Sequence, residues 1–203
     1  MTSINLVYID DNIDANISSY LDNLKDKYED VSIDYKEMTF IPENGYKSLL
    51  NEQLVNSANI IVIDDRLYED RNATNGKVSG EELKLVLRKY LPYIETIVIT
   101  QNEAEKSKGT IPKYKSDVDH HQTPEQFYDE FLKPVIDKAI ETVNTFRKLS
   151  EGFEQNGNWE NIIREKVIDS LEGSEKYESL SKSDIDDLIS AFKDFERAYI
   201  DEH

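Results

Sequence analysis

The residues best suited to chemistry in this chain are acids and a hydroxyl that each follow a short apolar run. Asp10 and Asp11 follow one such run, Asp64 follows another, and Thr100 ends a third. If these runs are adjacent parallel strands, the polar side chains gather beyond the carboxyl ends of the strands. Three unpaired carboxylates would repel one another, and one of them would hold a proton. A hard divalent cation such as Mg²⁺, which takes carboxylate and water oxygens, would remove that repulsion.

A metal site of this kind would support phosphoryl transfer. A carboxylate beside the cation can attack a phosphoryl donor, and the cation and an ammonium group can neutralise the transferred oxygens. Lys113 lies in a short candidate strand and is one candidate for this ammonium group. The sequence therefore predicts an acidic metal-binding pocket built around Asp64.

The elements that must position these residues alternate between strands and helices. Short apolar runs predict the strands, and apolar residues spaced three and four apart predict amphipathic helices. Strands are expected over residues 4–9, 31–35, 59–63, 96–100 and 110–114, and helices over 13–28, 45–56, 81–91 and from 124 onwards. This alternation predicts an α/β fold in which helices cover both faces of a parallel sheet.

The last of these helices has a recognisable start and a predicted kink. Thr123 can cap it, Pro124 suits its first position, and Gln126 stands three residues after the cap, which is the pattern of a capping box. Pro134 should kink the helix, because proline removes one backbone hydrogen bond.

Beyond Gly152 the alternation of strands and helices ends. Apolar stripes predict two further helices over 158–173 and 183–200, and these are too short to be stable alone. We expect them to form a hairpin packed on an extended last helix, giving a three-helix tail or, through symmetric pairing, a homodimer.

Composition narrows the classes of function. The 203 residues carry a formal net charge of −18, shared equally between residues 1–150 and 151–203. Neither part has the basic surface that direct nucleic-acid binding would require, so a protein partner is expected. There is no cysteine, no apolar run long enough for a membrane span and no basic start typical of a signal peptide, which together favour a cytoplasmic protein.

Four segments resemble the receiver domains of two-component response regulators. They are LVYIDDN, IIVIDD, SGEELKLVLRK and TIVIT, and the resemblance covers about residues 4–145. It implies a doubly wound, five-stranded parallel sheet of the flavodoxin-like type. On this basis we expect a receiver-like domain over residues 1–150, including a long last helix, and an α-helical extension over 151–203.

The resemblance also implies roles for individual residues. Asp10, Asp11, Asp64 and the backbone carbonyl of Arg66 would bind Mg²⁺ or Mn²⁺, and Asp64 would accept the phosphoryl group. The phosphoryl group would come from a histidine kinase or a phosphotransfer protein.

Thr100 and a lysine would contact the transferred phosphoryl group in the same scheme. Lys113 is the favoured lysine, with Lys115 and Lys133 as alternatives. The pair Lys133-Pro134 mimics the Lys-Pro pair of the family, but it lies inside a helical stripe.

Three functions are compatible with these residues. The first is a signalling protein that is phosphorylated and is not itself an enzyme. The second is a pseudo-receiver adaptor that binds proteins without being phosphorylated. It is favoured by the short distance in sequence between Thr100 and Lys113, which leaves at best a short helix over residues 101–109 where the family has its fourth helix. A metal-dependent phosphatase or nuclease is the third and least favoured, because no DxDxT motif begins at Asp64.

Overall fold

The computed structural model describes residues 2–41, 45–67, 79–101, 110–116 and 122–155. The predicted tail helices over 158–173 and 183–200 lie outside these residues. The strands are β1 (Thr2–Asp10), β2 (Val31–Thr39), β3 (Ile60–Asp64), β4 (Glu95–Thr100) and β5 (Ile111–Pro112). The helices are α1 (Ala15–Asp22), α2 (Gly45–Leu50), α3 (Gln53–Asn56), α4 (Gly80–Tyr90), α5 (Pro124–Phe131) and α6 (Lys133–Gln155).

The five strands form one parallel sheet in the order β2-β1-β3-β4-β5. This is the flavodoxin-like order of a doubly wound sheet, in which strand order reverses between β1 and β3. The expectation of a five-stranded, doubly wound parallel sheet is therefore confirmed. All five residues of β3 are buried, as expected for a central strand that helices cover on both faces.

Two apolar clusters lie on opposite faces of the sheet. Along β1, side chains alternate between the faces, so Leu6 and Tyr8 join one cluster while Val7 and Ile9 join the other. The first cluster contains the buried residues of α1, α5 and α6, and the second contains those of α2, α3 and α4. None of the described helices is long and apolar enough to span a membrane.

Two helical predictions need correction. The helix expected over 13–28 is an α-helix only from Ala15 to Asp22 and continues as a 3₁₀ turn over Asn23–Lys27. The helix expected over 45–56 is two short helices, α2 and α3. The side chain of Asn56 donates to the carbonyl oxygen of Leu50 at 3.1 Å, which satisfies one of the carbonyls exposed where α2 ends.

The predicted start and kink of the last helix are both found. Thr123 and Gln126 form a capping box at the start of α5. The helical stripe then divides at Leu132, two residues before Pro134, into α5 and α6. Near its other end, α6 is held to the sheet by Arg147, whose guanidinium donates to the carbonyl oxygen of Ser3 at 2.7 Å.

Gly80 allows α4 to begin directly against the end of β3. A Cβ atom at this position would lie 2.6 Å from the carbonyl oxygen of Asp64 and 2.8 Å from the Cα atom of Asp65. Both contacts are with backbone, which cannot rotate away. The Gly80 amide donates to the carbonyl oxygen of Asp65 at 3.0 Å, so the first turn of α4 and the end of β3 are fixed together.

Replacing Gly80 by alanine should therefore destabilise the fold. We expect Gly80→Ala to lower the free energy of unfolding by about 2–3 kcal/mol, because the added methyl group overpacks a backbone contact. Gly152→Ala is the matched control, since no atom other than those of its chain neighbours and its own helical backbone lies within 4 Å of a Cβ there. It should raise the free energy of unfolding by up to about 1 kcal/mol through helix propensity. Urea denaturation measures both, and equal midpoints for the two variants would contradict this account.

Candidate functional site

Three charged side chains meet beyond the carboxyl ends of the strands. Asp10 ends β1, Asp64 ends β3, and Lys113 follows β5. The Lys113 Nζ atom lies 2.9 Å from Asp64 Oδ1 and 3.1 Å from Asp10 Oδ2, and each of these side chains is 8% exposed or less. Lysine and aspartate are rarely buried to this extent unless they are paired. The ammonium group thus bridges two buried carboxylates.

The pairing of β4 with β5 sets the position of Lys113. Thr100, the buried last residue of β4, lies opposite Pro112 in the parallel register. Its carbonyl oxygen accepts the backbone N–H of Lys113 at 2.8 Å. The main chain therefore holds the lysine at the edge where β1 and β3 end.

Burial and charge oppose each other at this cluster. Burial raises the pKa of Asp64 to about 6, and the carboxylate of Asp10 adds to the rise, while Lys113 and the backbone amide of Arg66 act against it. Burial by itself would lower the pKa of Lys113, but the carboxylates of Asp64 and Asp10 outweigh it and raise that pKa above its ordinary value. The lysine stays charged, and Asp64 loses its proton at a higher pH than usual.

Asp10 is held by donors that the sequence analysis did not identify. The Tyr8 hydroxyl donates to Oδ2 of Asp10, and the backbone amide of Asn12 donates to Oδ1 at 3.1 Å. The Tyr8 hydroxyl in turn accepts the amide of Asp14 at 3.4 Å. The signal was present in the sequence, because residues two apart on a strand share a face, and Tyr8 precedes Asp10 by two.

The donor set fits a hard divalent cation. Asp10, Asp11 and Asp64 each offer a carboxylate oxygen, and these oxygens lie within 4.8 Å of one another. They line a cleft of about 220 Å³ together with Arg66 and Gln101, which leaves room for the waters that Mg²⁺ retains. The backbone amide of Arg66 donates to Asp64 Oδ2 at 3.2 Å, so the segment after β3 is already folded against the acid.

The other two candidate lysines lie away from the cluster. Lys115 is exposed. Lys133 is in α6, where its Nζ atom lies 2.9 Å from Asp137 Oδ2 and 4.8 Å from the centroid of the Tyr28 ring. Of the three lysines considered, Lys113 is the one in contact with Asp64.

The raised pKa of Asp64 gives the stability a defined pH dependence in metal-free buffer. The pKa of a free aspartate is 3.8 and that of folded Asp64 is about 6, so the folded state binds more protons between these values. The resulting contribution to stability is complete below about pH 4 and is lost as the pH rises through 6. Asp64→Asn removes this loss. We expect the variant to be about 1–3 kcal/mol more stable than the wild type at pH 8.

The difference in the free energy of unfolding between Asp64→Asn and wild type should shrink towards zero near pH 4. Urea denaturation in EDTA across pH 4–8 measures it. Asp34→Asn is the control, since Asp34 pairs with Lys36 on the surface and is 59% exposed. A difference for Asp64→Asn that changes with pH no more than the difference for Asp34→Asn would contradict the raised pKa of Asp64.

Comparisons with known proteins add little to this picture. No protein-family model matches the chain, and no curated protein matches its sequence. The fold is similar to that of RcsB from Salmonella enterica serovar Typhimurium, in a structure bound to promoter rprA in the presence of phosphomimetic BeF3⁻. That match has 16% identity and a TM-score of 0.41, and covers 73% of this chain and 67% of RcsB. The strand order, rather than this distant likeness, identifies the chain as a flavodoxin-like α/β protein.

Proposed function

We propose that this chain is a response-regulator-like signalling protein that accepts a phosphoryl group on Asp64. The observation that carries the proposal is the contact of Lys113 with both Asp64 and Asp10 at the carboxyl edge of the sheet. A buried lysine between two acids, beside a cleft that a third acid lines, provides a nucleophile and a fixed positive charge at one place. Phosphoryl transfer to a carboxylate needs both of these groups.

The chemistry assigned to the chain's own residues is a single displacement. A carboxylate oxygen of Asp64 attacks the phosphorus atom of the donor, and an O–P bond forms. The bond from phosphorus to the leaving group breaks, and its electron pair departs with that group. The Lys113 ammonium lies within ion-pair distance of Asp64 and would neutralise charge on the transferred oxygens. Thr100, at the end of β4, would hydrogen-bond the phosphoryl group.

Mg²⁺ or Mn²⁺ would be held by Asp10, Asp11, Asp64 and the backbone carbonyl of Arg66. When bound, the cation supplies further neutralisation of the phosphoryl oxygens. The metal would also relieve the repulsion between Asp10 and Asp64, which Lys113 balances in its absence. Lys113 and the cation thus compete for the same negative charge.

The donor and the output would both be proteins. A histidine kinase or a phosphotransfer protein would supply the phosphoryl group. The helical extension over 151–203 would bind a partner protein, since its nine excess negative charges disfavour nucleic acid. The alternative is a protein-binding adaptor that is not phosphorylated, so a test for phosphorylation distinguishes the two functions.

Phosphorylation is tested by incubating the protein with acetyl phosphate and Mg²⁺ and measuring its intact mass. We expect the wild type to gain one phosphoryl group that hydroxylamine removes, because an acyl phosphate is cleaved by that nucleophile. Asp64→Asn should gain none, since an amide is not a nucleophile at this position.

The matched control is Asp65→Asn, which makes the same replacement one residue along at a buried acid outside the cleft. It should still be phosphorylated. Folded wild type that keeps its mass at high donor concentration and long incubation would refute the phosphoacceptor role and favour the adaptor.

Removing the ammonium group should separate metal binding from phosphorylation. We expect Lys113→Met to be phosphorylated at least tenfold more slowly, because the transferred charge loses a fixed neutralising group. Its affinity for Mg²⁺ should rise, because the competing cation is gone. Lys115→Met, which removes an exposed lysine two residues away, should change neither quantity. Titration calorimetry gives the affinity. Weaker Mg²⁺ binding by Lys113→Met would contradict the competition.

A further inference from the structure

Tyr8 carries a buried hydroxyl group that has no role in the phosphoryl-transfer scheme. The residue is 0% exposed, and its ring belongs to the apolar cluster beneath α1, α5 and α6. Its hydroxyl nevertheless makes two polar contacts, donating to Asp10 Oδ2 and accepting the amide of Asp14. An aliphatic residue would fill the apolar space without leaving a polar atom to be satisfied.

These two contacts join both sides of the acidic loop that follows β1. Asp10 is the acid at the end of that strand. Asp14 is the cap of α1, where its side chain accepts the amides of Asn16 and Ile17. Asp11 stands between them and lines the cleft. A single hydroxyl therefore fixes the start and the end of the segment that carries two of the three acids of the cluster.

The hydrogen bonds also distinguish the two oxygens of Asp10. Tyr8 and Lys113 both donate to Oδ2, which engages its two lone pairs. Oδ1 accepts the amide of Asn12. A cation can therefore bind through Oδ1 without displacing Tyr8 or Lys113. A carboxylate ligand held by such an outer hydrogen bond keeps its orientation when the metal arrives.

We propose that Tyr8 is a positioning residue of the metal site, whose hydroxyl holds Asp10 and the loop bearing Asp11 in the arrangement that binds a divalent cation. This inference rests on the proposed function, because it assumes that the acidic cluster binds Mg²⁺ or Mn²⁺. Two effects of the hydroxyl oppose each other. Its hydrogen bond draws charge from Asp10, which weakens the ligand, and it orients the ligand, which strengthens binding. Loss of an outer-shell partner typically costs ten- to a hundredfold in metal affinity, so orientation dominates.

The test is the variant Tyr8→Phe, which removes the hydroxyl and keeps the ring. Its dissociation constant for Mg²⁺, measured by titration calorimetry on the full chain, should rise ten- to a hundredfold above that of wild type. At saturating Mg²⁺ it should be phosphorylated by acetyl phosphate at a rate within about threefold of wild type, because Asp64 and Lys113 are unchanged. The rate should fall far below wild type at a Mg²⁺ concentration that half-saturates the wild type.

Tyr20→Phe is the matched control. Its hydroxyl also donates to a carboxylate, that of Asp129 at 2.9 Å, but this pair joins α1 to α5 and does not contact the acidic cluster. The control should bind Mg²⁺ as the wild type does, even if its melting temperature falls. Circular dichroism in the titration buffer establishes that each variant is folded. Should Tyr8→Phe itself be unfolded, Tyr8→Met takes its place, because a flexible methionine can fill the space of the ring and has no hydroxyl. It should weaken Mg²⁺ binding in the same way.

The outcomes separate the inference from the function on which it rests. Wild type that binds no Mg²⁺ at millimolar concentration would overturn the proposed metal site. If wild type binds Mg²⁺ and the dissociation constant of Tyr8→Phe is within twofold of the wild-type value, the role of Tyr8 is overturned and the metal site is retained. A Tyr20→Phe variant that is weakened as much as Tyr8→Phe would show a general loss of packing and would also overturn the role of Tyr8.

Discussion

The rest of the molecule depends on the ammonium group of Lys113 lying between two buried carboxylates. A buried charge is tolerated when it is paired, and removing Lys113 would leave two buried carboxylates without their common partner. Two strand spacings separate β5 from β3, a distance of about 10 Å, so a long side chain is needed to reach Asp64 from the end of β5. The site therefore requires this strand order, because the lysine after β5 reaches the acid at the end of β3 only when β3, β4 and β5 are adjacent.

Much of this arrangement could be predicted because its strongest signals are local. An apolar run such as that of β3 specifies a buried strand, and the acid that ends it must lie at the carboxyl edge. The capping box at Thr123 and the break before Pro134 are likewise set by a few neighbouring residues. Lys113 was found by its place in a candidate strand, although β5 has only two residues and the pairing with β4, not strand propensity, holds it there.

The predictions that were wrong or absent involve contacts that a periodic pattern does not contain. Apolar spacing over 45–56 gave no sign that α2 ends at Leu50, where the side chain of Asn56 caps a carbonyl. The contact of Tyr8 with Asp10 was overlooked because a tyrosine within an apolar run is usually taken for core. Its ring does join the core, and only its hydroxyl faces the acids. In both cases a single polar group, the side-chain amide of Asn56 or the hydroxyl of Tyr8, makes a hydrogen bond that the apolar pattern of the sequence does not indicate.

The contact of Arg147 with Ser3 has a practical consequence for dividing the chain. Arg147 reaches from α6 to the amino-terminal end of β1, and Ser150, one turn later, is fully buried. The helix continues to Gln155, past residue 150, where the receiver-like domain was expected to end. A shortened protein that ends within α6 would place a free carboxylate beside buried groups and fray the turn that carries Arg147. Fragments intended to isolate the α/β domain are better ended after Gln155, so that a change in behaviour reports on the removed residues and not on a damaged helix.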